Sequence, residues 1–572
     1  RGLGDVYKRQ FYTYDSVQDT YNPITKVAKG ELMEKTQPYY KTTQQYSLNY
    51  KNTFNDLHDV EALALWEWKE TNTNWFMARR YYSTTSAIPE LDRGDVDNMY
   101  NEGNSAVYKY GGLVGRLNYV YAGKYMAEFS FRYDGSYKTA PDKRWGFFPA
   151  VSAGWRISEE QFMKDLVPQM DNLKLRASWG SIGNDSQLNA SQFVSGWQFE
   201  DRFILGGAGN SSASITNGMK EANLANPNIT WYKVMTTNVG LDGSFWGGKL
   251  SFEFDYFYRK TTGYPATRNT SLPTTSGIPL PQENLNSSDN RGFELSLGTV
   301  QRIGNVNLQI KGNVAYAREK DLYKEQALPL NQYKNWRDNG AYRWKNVTWG
   351  YEHIGQFQSY DEIYNSPIQD GKGNSSLRPG DIKYKDLNGD GLIDANDEKV
   401  IGKGTFPDLN FGLTLAADWK GFDVNILFQG ASNYTQVLNA LTSPFRGPGE
   451  GNGFRVWMDS WHKADYNDPD SEWVPGKFPS LRIEGNDNNS KKSTYWTTDA
   501  YYVRLKSIEI GYTIPKNLLS KVGIEHLRVY ANAYNPLTIT NVKYTDPEAI
   551  EGWQSFYYPQ LKVYSFGVNV SF

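Results

Sequence analysis

The sequence contains no cysteine and only four histidines in 572 residues. That removes disulfides and thiol chemistry and leaves too few ligands for a Cys/His zinc site. The formal net charge is −2, so there is none of the basic surplus that draws a protein onto nucleic acid, and no nucleic-acid partner is expected. No apolar run reaches the roughly 18 residues of a membrane-crossing helix, which excludes such a helix but says nothing against a sheet that crosses with alternating residues. Catalytic signatures are missing as well. There is no paired-histidine zinc motif, phosphate loop, serine elbow or dinucleotide fingerprint, so no enzyme is expected. Glu159 and Glu160 sit together on a short polar helix, and His58, His353, His462 and His526 are scattered singly. The start lacks an initiator Met, a signal peptide and a strand pattern. Residues 1–43 are read as an irregular, truncated start, with 1–10 a foreign remnant, and the leader that an exported protein needs is expected upstream.

Aromatic residues, in contrast, reach 15 %, with 42 Tyr and 18 Trp, and glycine numbers 52. They fall on a period of two. In 125–134, Tyr125, Ala127, Phe129, Phe131 and Tyr133 alternate with polar neighbours. Leu250, Phe252, Phe254, Tyr256 and Tyr258 do the same, as do Phe422, Val424, Ile426 and Phe428, and finally Tyr564, Phe566, Val568, Val570 and Phe572. Each run is about as long as a tilted strand that crosses a bilayer. Aromatics crowd the ends of the runs, where interfacial girdles sit. Very short connections at Ala122-Gly123-Lys124, Gly247-Gly248, Ile303-Gly304-Asn305 and Lys420-Gly421 alternate with long polar ones. The opposite face carries full charges. These features predict an all-β, antiparallel transmembrane barrel over 44–572, with about 17–18 strands and its apolar face in the lipid bilayer. Helical periods appear only at 158–166 and 515–522. Where Val503 and Leu505 give way to Ile508, Ile510, Tyr512 and Ile514, the phase slips by one residue, which predicts a β-bulge near Ser507.

The long loops 263–288, 320–348, 360–405 and 431–500 fall on one side by turn parity and are expected to be extracellular. One holds Asp386, Asn388, Asp390, Gly391, Leu392, Asp394 and Asp397. Side-chain oxygens at positions 1, 3, 5 and 9, a backbone carbonyl at 7 and glycine at 6 match a calcium loop. Position 12 is Asp397 rather than the longer Glu, which points to weak affinity. Calcium is therefore expected as a structural ion that stiffens the loop. Trp336, Trp344 and Trp349 in one loop, and Trp457, Trp461, Trp473 and Trp496 in another, are candidate contacts for a ligand or a lid. Loop-on-loop packing is the competing role.

Several stretches resemble the SusC/RagA family of TonB-dependent outer-membrane transporters: "RYDGSYKTAPDKRWGFFPAVSAGWRISEEQFM" at 132–163, "NLKLRASWGSIGN" at 172–184, "PGDIKYKDLNGDGLIDANDEKVIG" at 379–402, "YYVRLKSIEIGYTIPKNLL" at 501–519, "LRVYANAYNPLTIT" at 527–540 and "YPQLKVYSFGVNVSF" at 558–572. The resemblance implies an outer-membrane barrel of about 22 strands around a plug. It implies import of an oligosaccharide or peptide, energy from the TonB complex, and a SusD-like surface lipoprotein as partner. The terminal strand, with Tyr564, Phe566 and Phe572, resembles the signal read by the barrel-assembly machinery. The family's plug, its TonB-contact segment and about four or five strands have no counterpart in these residues. The chain is therefore expected to be the C-terminal barrel portion of such a transporter. An outer-membrane receptor or adhesin that binds without transport is the alternative.

Overall fold

The computed structural model describes residues 12–15, 20–23, 30–82, 90–97, 99–190, 192–205, 214–268, 280–438, 454–482, 487–519, 523–549 and 560–572. Residues 1–10 and part of the 515–522 helical stretch lie outside them. Two compact units are present: 1–48 with 65–114 and 134–137, and 49–64 with 115–133 and 138–572.

The principal sheet is antiparallel and has sixteen strands among the described residues. In chain order they are β1 (Gly30–Thr36), β2 (Tyr39–Phe54), β3 (His58–Tyr82), β4 (Tyr100–Tyr121), β5 (Tyr125–Ser136), β6 (Trp145–Arg156), β7 (Met170–Asn184), β8 (Tyr232–Phe245), β9 (Leu250–Thr267), β10 (Gln282–Ile303), β11 (Val306–Tyr323), β12 (Leu409–Trp419), β13 (Phe422–Val437), β14 (Thr497–Thr513), β15 (His526–Thr540) and β16 (Val563–Ser571). In the larger unit each strand from β5 to β16 pairs with its chain neighbour, as in a meander. In the smaller unit β1 pairs with the far half of β3, from Gly30 opposite Tyr82 to Thr36 opposite Phe76. The sheet is slightly narrower than the 17–18 strands read from periodicity. Other extended runs, such as Gly196–Leu205 with Ser214–Asn223, pair off in short ladders of their own. The expected helices are one turn each, Gln161–Leu166 and Lys516–Leu519.

Cross-strand register joins the alternating residues into one continuous apolar face. Across β8 to β12 the row Leu241, Phe254, Leu295, Val314 and Phe411 lies side by side. Across β12 to β16 the row Ala417, Val424, Ile510, Ala531 and Phe566 does the same. These residues are not a core. Phe254 is 40 % exposed, Leu297 49 %, Ile510 49 % and Val568 59 %. A water-soluble sheet would have to cover such a face, whereas a bilayer covers it with lipid.

The short turns carry the backbone that their residues permit. Ala122-Gly123 and Lys420-Gly421 both place two successive residues at positive φ, the geometry of tight hairpin turns matched to strand twist. Both carboxylate oxygens of Asp171 accept backbone N–H groups of Gly247 and Gly248, at 2.9 and 2.8 Å, and clamp a third turn. Aromatics crowd this end: Trp419 stacks on Phe422, Phe422 meets Tyr512 at a tilt, and Phe245 meets Trp246 likewise. The bulge sits where the phase slip predicts it. Ser507 pairs with Leu427 and Leu505 with Phe428, so Lys506 is the extra residue and both faces are preserved. The β15 side shifts at the same level, at Asn535, with φ near 50°, and Pro536, which has no N–H to donate.

Among the described residues most of the buried hydrophobic core lies in the long loops, and a further cluster of Ala431, Tyr434, Ala500, Tyr502 and Val542 sits at the loop-side ends of β13 and β14. In the loops Tyr351, Ile382, Tyr384, Ile393, Trp457, Phe478 and Trp496 form the largest cluster, and Phe357, Ile363 and Leu377 a smaller one. Short ladders frame it: Val347–Gly350 with Lys399–Lys403, and His353–Gln356 with Ile382–Tyr384. Strands β9 and β10 continue well past the length a bilayer needs, to Thr267 and from Gln282. The described ends of the loop read as 263–288, at 263–267 and 282–288, are thus a protruding ladder.

Candidate functional site

The polar face of the sheet alternates with the apolar one and carries the charges. Arg176 on β7 donates to both oxygens of Asp242 on β8, each at 2.7 Å, and to Asp255 on β9 at 2.9 and 3.1 Å. Gly240 makes room for this cluster, since a Cβ there would lie 2.5 Å from an Asp255 oxygen and 2.7 Å from the Arg176 guanidinium. A second cluster joins Arg528 on β15 to Asp423 on β13 and to Glu509 on β14, the last at 2.7 Å. Each guanidinium therefore ties three neighbouring strands on the face turned away from lipid. Sequence alternation marked these residues as inward but gave no sign of who pairs with whom.

At the loop-side ends of β7 to β11 this polar face opens into a cavity of about 950 Å³, lined on its other side by residues between 324 and 349. Its wall includes Asn184, Tyr232, Arg259, Thr261, Asn286, Ser287, Glu319 and Asp321 from the strands, and Lys324, Arg337, Arg343, Lys345 and Trp349 from the loop. The loop is held by extending the ladder. Asp321 N–H donates to Arg343 O at 2.8 Å and Lys345 N–H to Glu319 O at 2.9 Å.

The tryptophans separate by role. Trp457, Trp461 and Trp496 are 5 %, 4 % and 1 % exposed and pack loop on loop. Trp496 Nε1 donates to Asn489 O at 2.7 Å, and Trp461 packs so closely on Gly380, at φ 89°, that no side chain fits there. Trp473 lies beneath Lys463 and Arg378. Trp344 lies under Arg318 at 4.5 Å and Arg291 at 5.5 Å. Trp349 lines the cavity beneath Arg343, and Trp336 is exposed beside Tyr333. The seven are therefore not gathered on one surface.

The loop of Asp386 closes on itself. Asp386 accepts N–H groups of Gly389 and Gly391 at 2.7 and 2.9 Å, Asn388 that of Asp390 at 3.1 Å, and Asp390 that of Leu392 at 2.9 Å. Asp394 caps the turn at 395–397, and the fully buried Asp397 accepts from Leu387 at 2.8 Å and Asp394 at 2.9 Å. Among the described residues no group of three metal-ligating side chains converges, here or elsewhere. The four histidines are likewise apart. His58 meets Tyr119 at 2.8 Å, and His353 packs edge-on against Tyr495. On the last strand Tyr564 and Phe566 point outward and, like Phe572, are exposed.

The residues 2–536 match the model of the family described as TonB dependent receptor-like, beta-barrel. The chain belongs to this family. The TonB-dependent receptor P3 of Formosa agariphila is 28 % identical over 96 % of this chain and 55 % of its own length. The TonB-dependent receptor SusC of Bacteroides thetaiotaomicron is 26 % identical over 80 % of this chain and 43 % of its own. The chain thus spans about half the length of the curated relatives it matches. In fold it is similar to the RagAB peptide importer in its open-open state, with a TM-score of 0.74 at 21 % identity, over 95 % of this chain and 56 % of that one. The chain is thus similar in sequence to SusC and in fold to RagAB, and as a TonB-dependent receptor-like barrel it is a protein of the outer membrane. In such a barrel the apolar face meets lipid and the polar face, with its two guanidinium clusters, is the lumen wall.

The loop carboxylates set an acid limit. The hydrogen bond from Lys399 at 2.7 Å, with Lys385 nearby, holds Glu352 below the usual carboxylate range. Burial pushes Asp370 up, but the donors at Ser376, Lys372 and Asn374 outweigh it and leave it depressed. Both groups contribute stability above their unfolded values that is lost as pH falls through their folded ones. Asp381, raised by burial against the opposing pull of Arg482, acts with the opposite sign. Glu362 joins the first two: burial pushes it up, but Lys383 and the N–H of Gln358 outweigh that and leave it depressed. With three of these carboxylates against one, the loops are expected to become protease-sensitive below about pH 4 while the strands stay protected. Equal protection at pH 3 and pH 7 would contradict this.

Proposed function

We propose that this barrel carries a large nutrient, an oligosaccharide or a peptide, across the outer membrane. In this reading the lumen wall offers the path and the TonB complex supplies the energy. A SusD-like surface lipoprotein captures the cargo against the external loops, and the barrel-assembly machinery inserts the chain through its last strand, with Tyr564, Phe566 and Phe572. No covalent bond is made or broken. The observation that carries the reading is the cavity at the loop-side end of the polar wall, which is large enough for several sugar or peptide units. RagAB, similar in fold, is a peptide importer, which keeps a peptide among the candidates. The test is growth of cells carrying the full gene, or a deletion of it, on single oligosaccharides and peptides as sole nutrient. A growth defect on one nutrient that complementation restores supports import. Binding at the cell surface with no growth defect on any nutrient means a receptor instead.

We further propose that the loop from Asp386 to Asp397 takes calcium, through side-chain oxygens of Asp386, Asn388, Asp390, Asp394 and Asp397 and the carbonyl of Leu392. Some of these oxygens now accept the loop's own N–H groups, so binding would have to share or displace those bonds. Millimolar calcium is expected to slow proteolysis within 360–405 several-fold, in line with a weak extracellular-type site. An unchanged rate would remove the ion from the account.

A further inference from the structure

The cavity on the polar wall has an imbalance of charge. Five of its lining side chains are cationic and three are acidic, and the acids are already engaged. Lys345 lies 2.6 Å from Glu319 and 3.2 Å from Asp321. Arg337 lies 3.0 Å from Asp338, and at 2.9 Å it also holds Glu398, which is not part of the lining. Arg259, Lys324 and Arg343 remain with no carboxylate within ion-pair distance among the described residues. Each engaged cation is shared by two acids, so the surplus over the lining, five cations against three acids, resides on these three side chains and biases the potential of the concave wall towards positive.

The three differ in how they are held. Arg343 donates to Arg337 O at 2.7 Å, and its guanidinium lies 5.8 Å from the Trp349 ring centre. That contact fixes the plane of a group whose remaining N–H donors match a carboxylate. Arg259 and Lys324 are exposed to the lumen side and free to reach. Between them the wall presents amides and hydroxyls, at Asn184, Asn286, Ser287 and Thr261. That lining suits ring hydroxyls. The apolar part of the lining is mostly aromatic, at Tyr232, Tyr264, Trp344 and Trp349, and flat rings of this kind stack on the faces of sugars.

We propose that the cavity is a binding site for an acidic oligosaccharide whose sugars carry carboxylates. Arg259, Lys324 and Arg343 pair with the carboxylates, and the amides and hydroxyls of the wall bind the ring hydroxyls. The proposal rests on the import reading and names its substrate class. The test is calorimetric titration of the full chain in detergent micelles with tri-galacturonate, with its methyl ester and with tri-glutamate. Tri-galacturonate is expected to bind, and to weaken by about tenfold or more on raising salt from 50 to 300 mM, as exposed pairs do. The Arg259→Gln/Lys324→Gln double variant should lose a similar factor, while its thermal melt stays as in the parent because both side chains are exposed. Equal binding of the neutral ester, tighter binding of tri-glutamate, no binding of tri-galacturonate, or unchanged binding by the double variant would each overturn the proposal. Rescue of growth on a neutral oligosaccharide would leave import standing while this site failed, so the two readings fail separately.

Discussion

Trp496→Ala should loosen the external loops while leaving the barrel wall intact. The indole is 1 % exposed and lies within 6.2 Å of Trp457, 6.4 Å of Phe478 and 4.6 Å of Tyr495, ring centre to ring centre. Its Nε1 holds the carbonyl of Asn489, and Asn489 in turn binds Asp381 at 2.8 Å and the N–H of Ile382 at 2.9 Å. The substitution opens a cavity in the largest buried cluster of the described residues and orphans a buried carbonyl. The expected cost is about 3–5 kcal/mol of local stability. Limited proteolysis in micelles should show cleavage within 360–405 and 454–496 accelerated a hundredfold or more, with the strand signal in circular dichroism unchanged. Trp336→Ala is the control. That side chain is 56 % exposed, and its removal should change the rates by less than about threefold.

Arg504→Ala should release the segment that follows β15. Arg504 is the most buried cation in the sheet's polar face, at 2 % exposure. It holds Asp546 at 3.0 Å, Glu548 at 3.6 Å and the side chain of Gln560. The same segment is held by Tyr434 Oη to Pro547 O at 2.8 Å, and by Gln436 to the carbonyls of Asp546 and Ala549. Removing one partner of a buried pair strands the other charges and costs about 3–5 kcal/mol, and the partly exposed acids argue for the lower end. Hydrogen exchange over 541–549 should rise by about two orders of magnitude or more, while β14 and β15 stay protected. Arg504→Lys should restore little, because a single ammonium cannot serve three acceptors in a plane. Unchanged exchange in the alanine variant would show that the tyrosine and glutamine contacts suffice.

What the sequence revealed and what it hid divide along one physical line. Period-two alternation is enforced on every strand that has lipid on one side, so the face of Phe254, Leu295 and Ile510 could be read directly. For the same reason the bulge at Lys506 could be read: a one-residue slip turns a face over, and the chain must correct it. Nothing comparable constrains the loops. Trp496 and Trp336 look alike in sequence, yet one is a core and the other is bare, because burial there depends on contacts far apart in the chain. Arg176 and Arg259 are each polar-face arginines on a strand. Only the register shows that the first meets two aspartates and the second none. The length of β9 and β10 beyond the bilayer was also hidden, since a protruding ladder is polar on both faces and reads as loop.

One face of the sheet meets lipid and the other lines an aqueous lumen. Because the chain has no native cysteine, single cysteines can report it without background. Along β11, Leu308→Cys, Ile310→Cys and Val314→Cys should place an environment-sensitive dye in the bilayer, quenched by brominated lipid. Gln309→Cys, Lys311→Cys and Asn313→Cys should place it in water, quenched by iodide. Strict alternation of the two quenchers through the strand is expected. Quenching of all six positions by iodide alone would contradict it.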